Sequence, residues 1–182
     1  MLTYPTPLIA SLVRRYIAWT ERNIPHQSRV LRLPSLQAWS AERCDAAGVE
    51  ILPLHLCGSE RVVQRVHNET AFDSPGFSRT TVLHAIALSG APYHDRSTIF
   101  LARSEGRYIG YCIGRRPNGE TGHINGLAVH PSFRRRGIGR LLLRTTVQTL
   151  RERGAAEVLC HTHPTNEAAL GLLHSEGFVA DP

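Results

Sequence analysis

Arg134-Arg135-Arg136-Gly137-Ile138-Gly139-Arg140 is the stretch of this sequence whose residue types and spacing most plainly suit a chemical task. Before it, an apolar run from His123 to Val129, bounded by Gly122 and Pro131, reads as a strand; after it, an apolar run at helical spacing reaches Arg153. A basic, glycine-containing turn between strand and helix aims unpaired backbone N–H groups and the positive end of a helix at one point, where an anion can sit. The window from His123 to Arg153 holds seven arginines and one acid, Glu152, while the remainder holds fourteen residues of each sign. The formal net charge of +6 therefore resides in this window, which points to a specific anion site rather than a generally basic surface.

The bulk numbers restrict the alternatives. A chain of 182 residues can bury one full core but is short for two ordinary domains. Its 42% apolar and 20% charged content describes a globular protein. There is no lysine, so a Schiff-base lysine, pyridoxal-phosphate chemistry and a P-loop lysine are excluded, and any phosphate is held by guanidinium and backbone. The sequence pI near 9.7 would suit nucleic acid, but the arginine cluster lacks interleaved aromatics and a reading helix, and no nucleic-acid partner is expected. Cys44, Cys57, Cys112 and Cys160 are far apart with no CxxC pair, so neither a disulfide framework nor a zinc cage is expected. His161-Thr162-His163 would set two imidazoles on one strand face, yet no carboxylate or cysteine spacing completes a metal site. No apolar run approaches a membrane span, and Leu8 to Val13 is too short for a leader core; the cytoplasm is the simplest address.

Elements around the turn must position it. Thr6-Pro7 caps a helix with a stripe from Leu8 to Ile17, Arg29 to Leu33 suits a short strand, and Ser35 caps a second helix from Leu36 to Ala47. Residues 1–47 are accordingly set apart as an N-terminal helical extension, its apolar faces covered by the following domain, residues 48–182, or by a second copy in a homodimer. From Val49 strands and helices alternate: a strand to His55, a helix from Ser59 to Ala71, and a helix over Thr80 to Leu88. Thr98 to Ala102 and Arg107 to Gly114 form a hairpin around Ser104-Glu105-Gly106. Beyond the long helix come a strand at Glu157 to His161 and a helix from Asn166 to Ser175. The class is α/β, a mixed sheet flanked by helices.

Arg134-x-x-Gly137-x-Gly139 after Leu127-Ala128-Val129-His130-Pro131 resembles the acetyl-CoA motif of the GNAT (general N-acetyltransferase) superfamily. Asn166-Glu167-Ala168-Ala169-Leu170 and Gly177-Phe178 resemble that family's last helix and the turn after it. The resemblance is strong from His123 to Phe178 and weaker back to Val49. It implies a GNAT-like fold and an acetyltransferase that uses acetyl-CoA as co-substrate, with a small-molecule or peptide amine as acceptor. It also implies that Arg134, Arg135, Arg136, Gly137, Ile138, Gly139 and Arg140 hold the diphosphate. Backbone groups of Leu127 and Val129, with Ala128 between them, would pair with the pantetheine arm, and Asn166 would touch it. Three or four hydrogen bonds to charged oxygens, each on the order of 1.5–3 kcal/mol before ordering costs, suffice for micromolar binding, about −8 kcal/mol.

An alkyl ammonium with a pKa near ~10 must lose a proton before its nitrogen attacks a thioester. Some family members carry a glutamate for this at the top of the central strand; the matching residue here is His123, and an imidazole with an ordinary pKa near ~6.5 can take the proton. The tyrosine that many members use to protonate the departing thiolate is replaced by Leu173, leaving Cys160, His174 and Ser175 as nearby substitutes. No placed nucleophile is evident, so direct attack in a ternary complex is expected. Glu69 and Asp73 lie where family members bind the acceptor and could meet a cationic amine. The alternative to an enzyme is a catalytically weak or inactive CoA-binding regulatory domain. Only Val179 to Pro182 follow Gly177-Phe178, where the family continues with two strands. The strand Glu157 to His161 would then keep an open edge, which the N-terminal segment or a second chain is expected to cover.

Overall fold

The computed structural model describes residues 29–36, 46–58, 60–75, 98–115 and 120–180. The helices expected after Pro7 and over 80–88 lie outside the described residues, as do 37–45 of the helix expected from Leu36 to Ala47, whose described ends Leu36, Ala46 and Ala47 are not helical. The described elements are β1 (Arg29–Leu33), β2 (Glu50–Pro53), α1 (Leu54–Cys57), α2 (Glu60–Thr70), β3 (Ile99–Ser104) and β4 (Arg107–Arg115). They continue with β5 (Thr121–Val129), a 3-10 turn (Pro131–Phe133), α3 (Ile138–Glu152), β6 (Glu157–Thr162), α4 (Glu167–Ser175) and β7 (Val179–Ala180). The strand expected from Val49 to His55 stops at Pro53, whose extended backbone precedes the single helical turn of α1.

Among the described residues a sheet of seven strands runs β2-β3-β4-β5-β6-β1-β7. Its β5–β6 pair is parallel and the others are antiparallel. A parallel pair needs a crossover, and α3 supplies it. Ile138, Leu142, Leu143, Thr146, Val147 and Leu150 line the buried side of α3, a helical stripe that packs on one sheet face with Phe100, Cys112, Ile124, Val158, Leu173 and Phe178. The other face carries Ile99, Leu101, Tyr111 and Ile113 against Val63 and Val66 of α2 and Leu54 of α1. Each large apolar side chain removed from water in these layers contributes about 1.5–3 kcal/mol.

The β6 edge is covered from within the chain. β1 lies antiparallel to β6 over Arg29↔Thr162 to Leu33↔Val158, and the two residues of β7 pair with the far side of β1. Residues 29–33, read from sequence as a short strand within the N-terminal extension, form a strand of the sheet, with Leu31 and Leu33 in the main core. Alternation explains the placement: Leu31 and Leu33 face inward while Arg32 faces the other way and pairs with Glu157 at 3.3 Å.

The feature that matters most for the site is an opening in the sheet. β5 pairs with β6 only from Thr121↔Glu157 to Ile124↔Cys160, but with β4 as far as Val129↔Gly110. Between Gly114↔Ile124 and Ile113↔Gly126 the register shifts, leaving Asn125 as an extra residue. Such a bulge bends its strand and increases the local twist, and here the last five residues of β5 have no partner in β6.

Candidate active site

The turn after β5 has the shape its composition suggests. Arg135 and Gly137 have φ of 62° and 78°, and Gly137 is the N-cap of α3 without any side-chain cap. A residue with a Cβ would be strained at Gly137, although no atom stands within 4 Å of the place that Cβ would occupy. Arg134 N–H bonds Pro131 O and Leu141 N–H bonds Gly137 O; the N–H groups of the six residues between have no backbone acceptor among the described residues. Groups of this kind in alternating left- and right-handed conformations form a concavity for an anion.

The arginines of the turn divide by what they already hold. Arg134 forks onto Asp73 with two bonds of 2.6 Å, and it also donates to Val129 O at 2.8 Å and Thr70 O at 3.1 Å. Arg136 donates to Ser132 O at 3.0 Å and lies 5.3 Å from the Phe133 ring centroid. Arg140 pairs with Glu176 at 2.8 Å and reaches Ser175 Oγ at 3.3 Å. Arg135 is exposed, and its side chain has no hydrogen bond or ion pair among the described residues. Three of the four arginines, Arg134, Arg136 and Arg140, thus already have protein partners. Arg134 is committed to protein partners, and Asp73, expected on the acceptor side, is its counterion. The backbone of the turn and Arg135 remain.

Beside the turn lies the unpaired part of β5. His130 N–H donates to Ile109 O at 2.8 Å, so by the two-residue period the backbone groups of Ala128 face β4 while those of Leu127 and Val129 face the gap. Val129 O already accepts from Arg134. That leaves Leu127 N–H, Leu127 C=O and Val129 N–H to pair with an extended, amide-bearing ligand. Asn166 caps α4 by accepting from Ala169 N–H at 3.2 Å through Oδ1, which keeps its amide N–H₂ available. Turn and gap are contiguous through Val129 and His130.

His123 sits half-buried in β5, opposite Arg115 of β4 and Leu159 of β6. Its pKa lies below the ordinary imidazole value because burial disfavours the cation, and Arg115 and His161 push the same way against Glu157. At neutral pH it is a free base. Glu157 is held by Arg32 at 3.3 Å and by the Thr121 hydroxyl at 2.9 Å.

The position of the missing tyrosine and its neighbours have the following surroundings. Leu173 is core, 2% exposed. Cys160 is buried, its thiol pushed up to about 12 by burial. His174 Nδ1 lies 3.0 Å from Phe178 O, and the Ser175 hydroxyl donates to Leu172 O at 2.7 Å. β6 ends at Thr162, so His163 lies beyond the strand, where its Nδ1 meets Thr165 Oγ1 at 2.8 Å. Among the described residues there is no cluster of three or more His, Cys, Asp or Glu that could hold a metal. Sequence reasoning missed two contacts on the sheet's other face and rim: His67 Nδ1 to the buried Tyr111 hydroxyl at 2.7 Å, and Arg134 to Asp73. The partners are 44 and 61 residues apart, and no local pattern joins them.

Among the described residues the sheet is mixed and splays at its parallel β5–β6 junction, with the open N-terminus of α3 beside the splay. Residues 64–178 match the family model described as acetyltransferase (GNAT) family, and the chain belongs to that family. It is 30% identical over 132 residues to mycothiol acetyltransferase of Thermomonospora curvata, covering 72% of this chain and 44% of that protein. The fold is shared with a GCN5-related N-acetyltransferase from Sphaerobacter thermophilus at a TM-score of 0.69 and 19% identity, over 92% of this chain and 53% of that one. It is also shared with the ribosomal-protein-S18-alanine N-acetyltransferase of Escherichia coli at 0.61 and 21%, over 74% and 79%. The chain thus spans about half the length of the first two. GNAT proteins use acetyl-CoA as co-substrate. No helix among the described residues is long and apolar enough to cross a membrane.

Proposed function

We propose that the protein is an N-acetyltransferase that moves an acetyl group from acetyl-CoA to a small-molecule or peptide amine by direct attack. The observation that carries this reading is the run of N–H groups from Arg135 to Arg140 without a backbone acceptor among the described residues, contiguous with the part of β5 that β6 does not pair. When bound, acetyl-CoA supplies the acetyl group as a thioester, whose leaving thiol has an ordinary pKa of ~8.5 and departs tolerably without an acid.

The protein's part is positioning and one proton. The N–H groups of the turn donate to the diphosphate, reinforced by the α3 dipole, worth about 0.3–1 kcal/mol exposed and roughly 2 when partly buried. Leu127 and Val129 hold the arm as an added strand would. Asn166 steadies it from α4. His123, unprotonated at neutral pH, accepts the proton of the acceptor ammonium directly or through water. Cys112 and Cys160 are buried with thiols raised to about 12, which argues against an acyl-cysteine intermediate.

Leu173, buried where an acid is usual, favours a second reading: a domain that binds CoA without turnover. A thiol-release assay with acetyl-CoA across small amines and peptide N-termini separates the two. Release is expected from at least one amine, with His123→Ala lowering kcat about 10²–10⁴-fold. The acid limb of the wild-type profile should fall below pH ~6.5, because a lowered imidazole pKa keeps the base available until then. CoA binding with no release from any amine decides for the second reading. Release unchanged in the variant removes His123 from the mechanism.

A further inference from the structure

Arg134 opens the Arg-x-x-Gly-x-Gly turn, yet its guanidinium is taken up by partners outside the turn. Of its five N–H donors, four make bonds to three separate places: both oxygens of Asp73, Thr70 O at the end of α2, and Val129 O at the end of β5. The fork onto Asp73 is short, 2.6 Å on both arms, and bidentate, the stronger form of such a pair. Isolated surface ion pairs contribute little, but this one is bidentate and backed by two carbonyls, and Arg134 holds the Asp73 carboxyl below the usual carboxylate range.

The elements so joined are those the cofactor reading depends on. Val129 ends the unpaired edge of β5. Arg134 itself starts the turn, with its N–H on Pro131 O, and the left-handed Arg135 follows directly. The orientation of the N–H groups beyond it is thus set from a point anchored in α2 and in the loop after it, elements not otherwise part of the cradle.

We propose that Arg134 is a strut and not a phosphate ligand, and that Asp73 is a positioning residue for CoA that never touches it. This rests on the cofactor assignment above. Removing the Asp73 charge leaves Arg134 two carbonyls and no counterion, so the turn loses the fixed point that aims its N–H groups. Small misplacements of such groups are costly, an ångström amounting to as much as ~10²-fold.

The opposite arrangement, a phosphate-binding arginine restrained by Asp73, makes the opposite prediction, so the sign decides. CoA is titrated calorimetrically into wild type, Asp73→Asn, Asp73→Glu, Arg134→Met and the Asp73→Asn/Arg134→Met double variant, with thermal midpoints recorded for each. As a strut, Asp73→Asn weakens CoA about tenfold, Asp73→Glu recovers part of the loss, and the double variant binds no worse than Arg134→Met alone. In turnover, KM for acetyl-CoA should rise in Asp73→Asn while kcat at saturation stays within about threefold. Unchanged or tighter CoA binding in Asp73→Asn, or additive losses in the double variant, overturns the strut. A wild type that ignores CoA removes the cofactor assignment and the strut with it, whereas a wild type that binds beside an unaffected Asp73→Asn removes the strut alone.

Discussion

The two ends of α3 have been treated in opposite ways. At the C-terminus the chain closes on itself. Arg153 N–H reaches Thr149 O and Leu150 O, Gly154 N–H reaches Arg151 O at 2.8 Å, and Ala155 N–H reaches Leu150 O at 3.0 Å. Gly154, at φ 86°, lets the backbone curl back in this way. At the N-terminus another left-handed glycine, Gly137, leads into a helix whose first N–H groups have no acceptor among the described residues. A helix satisfies its own ends where it only has to be stable. The end left open, on a helix otherwise well capped and packed, is the one to which we assign CoA binding.

Substitutions can break or sharpen that contrast. The largest effect is expected from Glu176→Ala. This side chain, 1% exposed, receives Arg144 at 2.6 Å and Arg140 at 2.8 Å and so docks the end of α4 onto α3. Losing one partner of a buried charge group costs about 3–5 kcal/mol, to be read as a large drop in thermal midpoint. Gly137→Val comes next. A β-branched residue in the left-handed region costs of order 1–3 kcal/mol and turns the free N–H groups away, so CoA affinity measured by calorimetry should fall at least tenfold. The smallest effect belongs to Gly154→Ala, where roughly 1 kcal/mol of stability is lost in denaturant unfolding and CoA affinity does not change. If Gly154→Ala weakens CoA as much as Gly137→Val does, the two ends are not functionally distinct.

How much of this was legible beforehand depends on the range of the interaction. The α3 stripe, the glycine-bearing turn and the Asn166 cap are local patterns with periods of a few residues, and the structure has them where the sequence put them. The partners of the arginines were not legible. Arg134 and Arg140 stand in the same basic run, but one meets a carboxylate 61 residues earlier and the other a carboxylate in the segment after α4. A run of guanidinium groups looks like a uniform phosphate grip until the partners of each are known. The bulge at Asn125 was likewise invisible, because it is a property of the pairing with β4 rather than of β5 alone.

Composition and spacing by themselves determined the chemical vocabulary of this protein: guanidinium and backbone for an anion, imidazole for a proton, no lysine and no placed thiol. Tertiary structure decided which of those groups are at liberty. It put β1 beside β6, parted β5 from β6 beyond Ile124, and committed Arg134 to Asp73. The physical reason is that a side chain's type is written locally, whereas its free valences are what remains after partners distant in the chain have been satisfied.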